Sequence, residues 1–226
     1  ELRAGLPRRP RGGGRVTAES PCIQVCVLDR LTGHCTRAKN ELHALRATET
    51  TSAMMIEDEE EAIAMFGRRI ERFRQAGLEI IANCPALQGQ FNHMTAAPGM
   101  GDVSTFAVLA ELTTLPETLK SSQVSRYAGL DVRLTQSGTS IDKPGRLSKG
   151  GNAYLRSAMF MPAMSAIRCD PYVKAFYEGL VGRGKRKMQA ICAVMRKYLT
   201  GLWACMRSGE DFDTAKLFSD KHLLKA

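Results

Sequence analysis

Four residues near the start of the chain, Cys22, Cys26, His34 and Cys35, are of the types that ligate soft metals. Taken by residue type, thiolates and an imidazole suit zinc or an iron–sulfur cluster. A second candidate is Ser137-Gly138, a hydroxyl beside a residue that permits a sharp turn. Unaided, that hydroxyl is a weak nucleophile, and the dipeptide reads as a turn. A third lies in Met94-Thr95-Ala96-Ala97-Pro98-Gly99-Met100-Gly101-Asp102. Here Gly99 and Gly101 allow a tight hairpin between helices, and Asp102 can cap the helix that follows. Such a helix–hairpin–helix offers backbone N–H groups to a phosphate, although the same turn also joins helices that bind nothing.

The fourth candidate is charge. The 226 residues carry a net +9, and the stretch from Lys120 to Lys197 holds 15 Lys and Arg against four Asp and Glu. Acidic residues gather elsewhere, in Glu57-Asp58-Glu59-Glu60-Glu61. A basic region of this size suits a polyanion, nucleic acid first, the alternative being a solvated surface that aids solubility. Composition excludes other classes. An apolar fraction of 44% fits a globular protein. No apolar run is long enough to span a bilayer, and no apolar segment follows the N-terminal arginines as in a secretory signal, so a cytoplasmic protein with no membrane partner is expected. Seven cysteines is an odd number. Cys84, Cys169, Cys192 and Cys205 are expected as small buried apolar side chains in a reducing compartment.

The elements that must position these groups read as helices. Residues 1–18 are rich in Arg, Gly and Pro and are expected to be disordered, with residues 1–36 as an unrelated cysteine-bearing leader. A helix starts at Ala38 and a longer one covers Ile56 to Ala82. In it, Ile56, Ile63, Ile70 and Phe66, Phe73, Ile80 form two seven-residue series, the seam of a helical hairpin or coiled coil over residues 37–86. Residues 87–207 form a compact helical domain. A short helix over Ser122–Ala128 ends at Gly129, a polar stretch runs from Asp131 to Asn152, and the next helix kinks at Pro162. Asp170-Pro171 is a helix start, Gly182 a stop, and Arg183-Gly184-Lys185-Arg186-Lys187 links to a final long helix. Residues 208–226 read as a frayed tail. The expected class is mainly α.

The order of motifs from residue 94 onward is specific. Pro98-Gly99-Met100-Gly101, Ala110-Glu111-Leu112, Tyr127-Ala128-Gly129-Leu130 and Ser137-Gly138 precede Leu147-Ser148-Lys149-Gly150-Gly151-Asn152-Ala153-Tyr154-Leu155-Arg156 and Gly182-Arg183-Gly184-Lys185. Over residues 37–207 this resembles the C-terminal serine domain of the insertion-sequence transposases called bridge recombinases, whose other half is a RuvC-like DEDD domain. Residues 20–35 resemble the opening of a small cysteine-rich bacterial family. That family carries a further cysteine where this chain has Ala38, so no metal is expected here.

The resemblance implies serine-dependent DNA strand exchange guided by a structured RNA, in a homo-oligomer. It makes Ser137 the attacking hydroxyl, with Mg²⁺ held by the DEDD carboxylates of the full-length enzyme and no cofactor in this chain. Lys143, Arg146, Lys149, Asn152 and Arg156 would help hold nucleic acid, as would Gly99, Gly101 and the linker residues Arg183, Lys185, Arg186 and Lys187. The residues before 37 carry no matching acidic motif, so the expectation is a truncated mobile-element transposase, inactive alone. Two other readings remain open: a non-catalytic DNA- or RNA-binding helical module, and a structural oligomerisation fragment built on the Ile56–Ala82 seam.

Overall fold

The computed structural model describes residues 21–48, 52–137 and 141–218, with the side chains of 21–24, 134–137 and 141–144 outside that description. The fold is mainly α. It divides into two compact units, meeting in sequence at Pro85-Ala86.

The first unit is a helical hairpin of α1 (Pro21–Arg46) and α2 (Ala53–Ala82). On α1 the buried residues Val25, Leu28, Leu31, Cys35 and Ala38 recur every three or four positions, one apolar stripe of a helix. On α2 the two expected series are half-buried from Ile56 to Ile80, and Gly77 and Ile81 are fully buried. His34 stacks on Phe66 at 5.7 Å between ring centroids. Helix α1 begins well before Ala38, so the cysteine segment is part of the hairpin and the division at residue 36 falls inside a helix. Thr32 and Gly33 obscure this in the sequence, because both disfavour helix. In the fold Gly33 faces open space and Thr32 Oγ1 donates to the Leu28 carbonyl at 2.8 Å, while the packed stripe on the other face dominates.

The second unit is built around α9 (Lys187–Ser208), which buries Ile191, Met195, Tyr198, Leu199, Leu202 and Trp203 among others. Around it lie α5 (Ser121–Tyr127), α7 (Phe160–Cys169), α8 (Pro171–Gly182) and α10 (Thr214–Phe218). Helix α3 (Pro85–Thr95) leads through the Pro98–Gly101 turn into α4 (Asp102–Leu112), which is buried from Thr105 to Leu112 except at the half-buried Ala107 and packs on α6 (Ala153–Ala158). Two buried polar bonds fix α9: Tyr198 Oη donates to the Pro98 carbonyl at 2.6 Å and Trp203 Nε1 to the Leu119 carbonyl at 3.1 Å. Among the described residues no helix is long and apolar enough to cross a membrane.

Several local expectations meet their structural counterparts here. Gly129 closes α5 at φ +66°, and Asp170 caps α8 by accepting from the Val173 amide at 2.9 Å with Pro171 in the first turn. Asp102 is the first residue of α4 rather than its cap; the cap is Gly101. The kink expected at Pro162 is a break at Met159 between α6 and α7, with Pro162 in the first turn of α7, where its missing N–H costs nothing. Residues 209–218 are not frayed, while residues 1–18 and 219–226 of the expected disordered start and frayed tail lie outside the described residues. Thr214 Oγ1 bonds Asp170 at 3.0 Å, Phe212 and Phe218 pack against Tyr198, and His93 Nδ1 meets Asp211 at 2.7 Å.

The largest departure is in the polar stretch after α5. It forms an antiparallel hairpin of β1 (Val132–Ser137) and β2 (Ile141–Leu147). Thr135 pairs with Lys143 and Arg133 with Arg146, so two β2 residues, Pro144 and Gly145, oppose Leu134 alone. That bulge is where a strand accommodates proline.

Candidate nucleic-acid interface

The hairpin places Ser137 at the end of β1, its Cα partnered with Ile141 across the tip. The side chains of Ser137 and Lys143, and Gly138 itself, lie outside the described residues. What the structure describes in detail is the hairpin's root, where distant segments converge.

At the root, Asn152 caps α6 through its Oδ1, which accepts from the Leu155 amide at 3.0 Å. Its Nδ2 donates to the buried carboxylate of Glu111 and to Tyr127 Oη at 3.0 Å, and its backbone N–H donates to the Tyr127 carbonyl at 2.6 Å. Arg156, one turn along α6, donates from Nη1 to the Ala128 carbonyl at 3.0 Å and to the Lys149 carbonyl at 3.5 Å. Ser148 closes the base of the strands on Asp131, by its hydroxyl to the carboxylate and by its amide to the carbonyl at 2.9 Å. The motifs around Glu111, Tyr127–Leu130 and Lys149–Arg156 are therefore one clamp. A hydrogen bond to a buried charge is worth about 1.5–3 kcal/mol.

Backbone geometry explains the small residues in this clamp. A β-carbon on Gly151 would lie 2.2 Å from the Tyr127 carbonyl oxygen, and one on Gly129 would lie 2.8 Å from Arg156 Nη1. Lys149 takes φ +51°, the left-handed region that a lysine rarely occupies. Its amide bond to the Gly129 carbonyl at 3.1 Å and the Arg156 contact hold it there.

Cations crowd the same face. Arg133 and Arg146 are both exposed and sit directly opposite across the strands, a like-charge pairing that weakens a hairpin unless an anion lies over it. Lys149 is also exposed. Among the described residues none of Arg133, Arg146, Lys149 and Arg156 has a carboxylate within ion-pair distance. Arg183, Lys185 and Arg186 before α9 and Lys187, its first residue, are exposed, and Arg183 Nε donates to the Gly179 carbonyl at 2.9 Å. Two of these cations sit where the α9 dipole disfavours positive charge, which again suits an anionic partner.

The Pro98–Gly101 turn reads differently in three dimensions. Gly99 has φ +83°, and a β-carbon there would come 2.7 Å from the Pro162 carbonyl oxygen and 2.8 Å from Ser165 Cβ. Its glycine requirement is met by packing on α7. Gly101 is exposed with open space around it, but Asp102 puts a carboxylate on the first turn of α4 beside it.

The cysteine segment lies along one helix. Cys26 and His34 are eight positions apart on α1, about 12 Å of helical rise, too far for one tetrahedral site. Cys35 is buried, and the Cys22 side chain lies outside the described residues. Among the described residues no three His, Cys, Asp or Glu side chains converge on a metal-sized site. Of the four cysteines expected to be buried, only Cys205 is; Cys84 and Cys192 are half-buried and Cys169 is exposed.

Sequence reasoning missed Glu111, Tyr127 and Gly151 as positioning residues and Arg133 as part of the basic face. The alternating Val132-Arg133-Leu134-Thr135-Gln136 was the available strand signal.

Comparison with known proteins meets this region. Residues 92–178 match the model of the transposase IS116/IS110/IS902 family. The chain is 33% identical over 135 residues to a pilin gene-inverting protein of Moraxella bovis, covering 59% of this chain and 42% of that protein. It is 33% identical over 125 residues to an insertion element IS110 uncharacterized 43.6 kDa protein of Streptomyces coelicolor, covering 54% and 30%. Over 213 residues it is 26% identical to an insertion element IS900 uncharacterized 42 kDa protein of Mycobacterium paratuberculosis, covering 88% and 49%. The chain thus spans less than half the length of each of these relatives. Across residues 92–178 the chain is therefore similar to transposases of the IS110/IS116 type.

Proposed function

We propose that the second unit is the DNA-facing domain of a recombinase that moves or inverts DNA segments, and that Ser137 supplies the attacking hydroxyl. The observation that supports this reading most is the hairpin: it carries Ser137 at its tip, is rooted in the Glu111–Asn152–Tyr127 clamp, and is flanked by cations without described carboxylate partners. In the step itself, Ser137 Oγ forms a bond to phosphorus as the bond from phosphorus to a sugar oxygen breaks. The serine proton is lost to a base or solvent, and the displaced oxygen leaves protonated. The phosphoserine link conserves the diester, so a second sugar hydroxyl can reverse the step without an external energy source. Arg133, Arg146 and Lys149, at the root and about 13 Å or more of strand from Ser137, would hold the neighbouring phosphates of the same strand. A structured guide RNA is the proposed second partner, held by the same phosphate chemistry and by Arg183, Lys185, Arg186 and Lys187.

The bridge-recombinase resemblance also implies Mg²⁺. The described residues do not fit such a site, because no three metal-capable side chains converge. The decisive assay therefore supplies the family's acidic domain in trans, with Mg²⁺ and end-labelled DNA, on a denaturing gel. Label should migrate with the protein and vanish in Ser137→Ala. An adduct that survives Ser137→Ala names the wrong nucleophile, and binding with no adduct under any condition leaves a non-catalytic module.

A further inference from the structure

Beside the hairpin root an open groove of about 440 Å³ lies between the end of β2, α6, α7 and the first turns of α9. That volume is within the range of about 300–1,000 Å³ typical of small-ligand sites. Its apolar wall is Leu147, Phe160, Met161 and Met195, with the Cys192 thiol between them. Its rim carries two cations, Lys149 and Arg156. Met161 is 66% exposed, a large apolar side chain held in water at the lip.

We propose that this groove takes up one unpaired nucleotide of the bound strand, its base against Phe160, Met161 and Met195 and its phosphate against Lys149 and Arg156. The inference rests on the nucleic-acid reading above and adds a specific place and form of ligand to it. Charge complementarity selects the phosphate, because neither rim cation has a carboxylate partner among the described residues. The apolar wall selects an unpaired base. In a duplex the base faces are stacked away, whereas an unstacked base can stack on an aromatic platform. Continuity supports the placement. Leu147 ends β2 and Lys149 adjoins it, so the groove opens at the root of the hairpin. The other end of the path is basic as well: Cys192 stands five residues into α9, about 7.5 Å from Lys187 along the axis.

Cys192 makes the proposal directly testable, and the exposed Cys169 at the end of α7 is an internal control outside the groove. The full chain is alkylated with a maleimide and the two thiols are followed by peptide mass mapping. This is done alone, with a single-stranded deoxyoligonucleotide, and with its fully paired duplex, while overall binding is read by fluorescence anisotropy. At about ten times the dissociation constant, site occupancy near 90% should slow Cys192 alkylation about tenfold, leaving Cys169 unchanged. The duplex should bind without protecting Cys192. Met161→Glu places a negative charge at the lip and Ser157→Trp, at an exposed groove residue, fills it; each should abolish protection while anisotropy still reports binding. Strand binding with no protection, or equal protection by the duplex, overturns the nucleotide groove and leaves the recombinase reading intact. Absence of any binding by anisotropy overturns both.

Discussion

Gly151 approaches Tyr127 so closely that a β-carbon on the glycine would stand 2.2 Å from the tyrosine carbonyl oxygen. This contact docks the strand-to-helix turn after β2 onto the end of α5. It sets where the hairpin leaves the helical body.

Gly151→Ala should therefore destabilise the second unit by about 2–4 kcal/mol, the cost of forcing backbone apart in a packed site. Urea denaturation would show a lower midpoint at unchanged slope. Amide exchange should accelerate first in residues 132–137 and 141–147. A midpoint equal to that of the parent chain would show the contact is not rigid.

Asn152 gives a prediction with a pH signature. Asn152→Ala removes the α6 cap and one hydrogen bond from the buried Glu111 carboxylate, which should cost about 2–4 kcal/mol. Asn152→Asp keeps an acceptor for the Leu155 amide but sets a second carboxylate against Glu111. Two carboxylates sharing a site raise each other's pKa in the fold, so the folded state binds protons more tightly than the unfolded one. The deficit of Asn152→Asp relative to the parent should then shrink as pH falls from neutral toward the ordinary carboxylate range. A deficit that grows on acidification would refute the Glu111 contact.

The basic linker should separate binding from stability. Binding to duplex DNA or structured RNA should weaken by about an order of magnitude or more between low and physiological salt, through counterion release. Replacing Arg183, Lys185, Arg186 and Lys187 with Ala should weaken binding further and flatten the salt slope. Thermal stability should hold or rise slightly, since cations leave the positive end of α9. Full affinity in the quadruple variant at moderate salt would remove this loop from the interface.

Lys149→Gly tests strain and electrostatics together. Glycine adopts φ +51° freely, so relief of the left-handed strain should raise stability by up to about 1 kcal/mol. The same change removes a cation that faces Cys192. Burial already pushes that thiol above its ordinary range, against the pull of Lys149 and Arg156. With Lys149 gone, the thiolate loses a favourable charge and the pH profile of Cys192 alkylation should move to higher pH, while Cys169 stays put. A shift to lower pH would contradict the geometry.

What the sequence alone determined is local. The stripe Ile56, Ile63, Phe66, Ile70, Phe73 and Ile80 marked a helix with one packed face, and Asp170-Pro171, Gly129 and Gly182 marked helix ends where the structure has them. These signals need only a few turns of chain, because capping bonds, glycine's left-handed freedom and the 3.6-residue period act between near neighbours. The motif order was legible too, but not why its members travel together. Glu111, Tyr127 and Asn152 are separated by up to 41 positions, and no local rule says that one amide will satisfy the other two. The strands around Ser137 were hidden for a related reason: a short polar hairpin with a Pro144–Gly145 bulge has little propensity of its own and is held by its root. The docking of α10 follows the same logic, since Phe212 and Phe218 become core residues only when α9 presents Tyr198 and the space above Gly201. Tertiary structure decided these elements because the free energy that forms them comes from contacts between segments far apart in the chain.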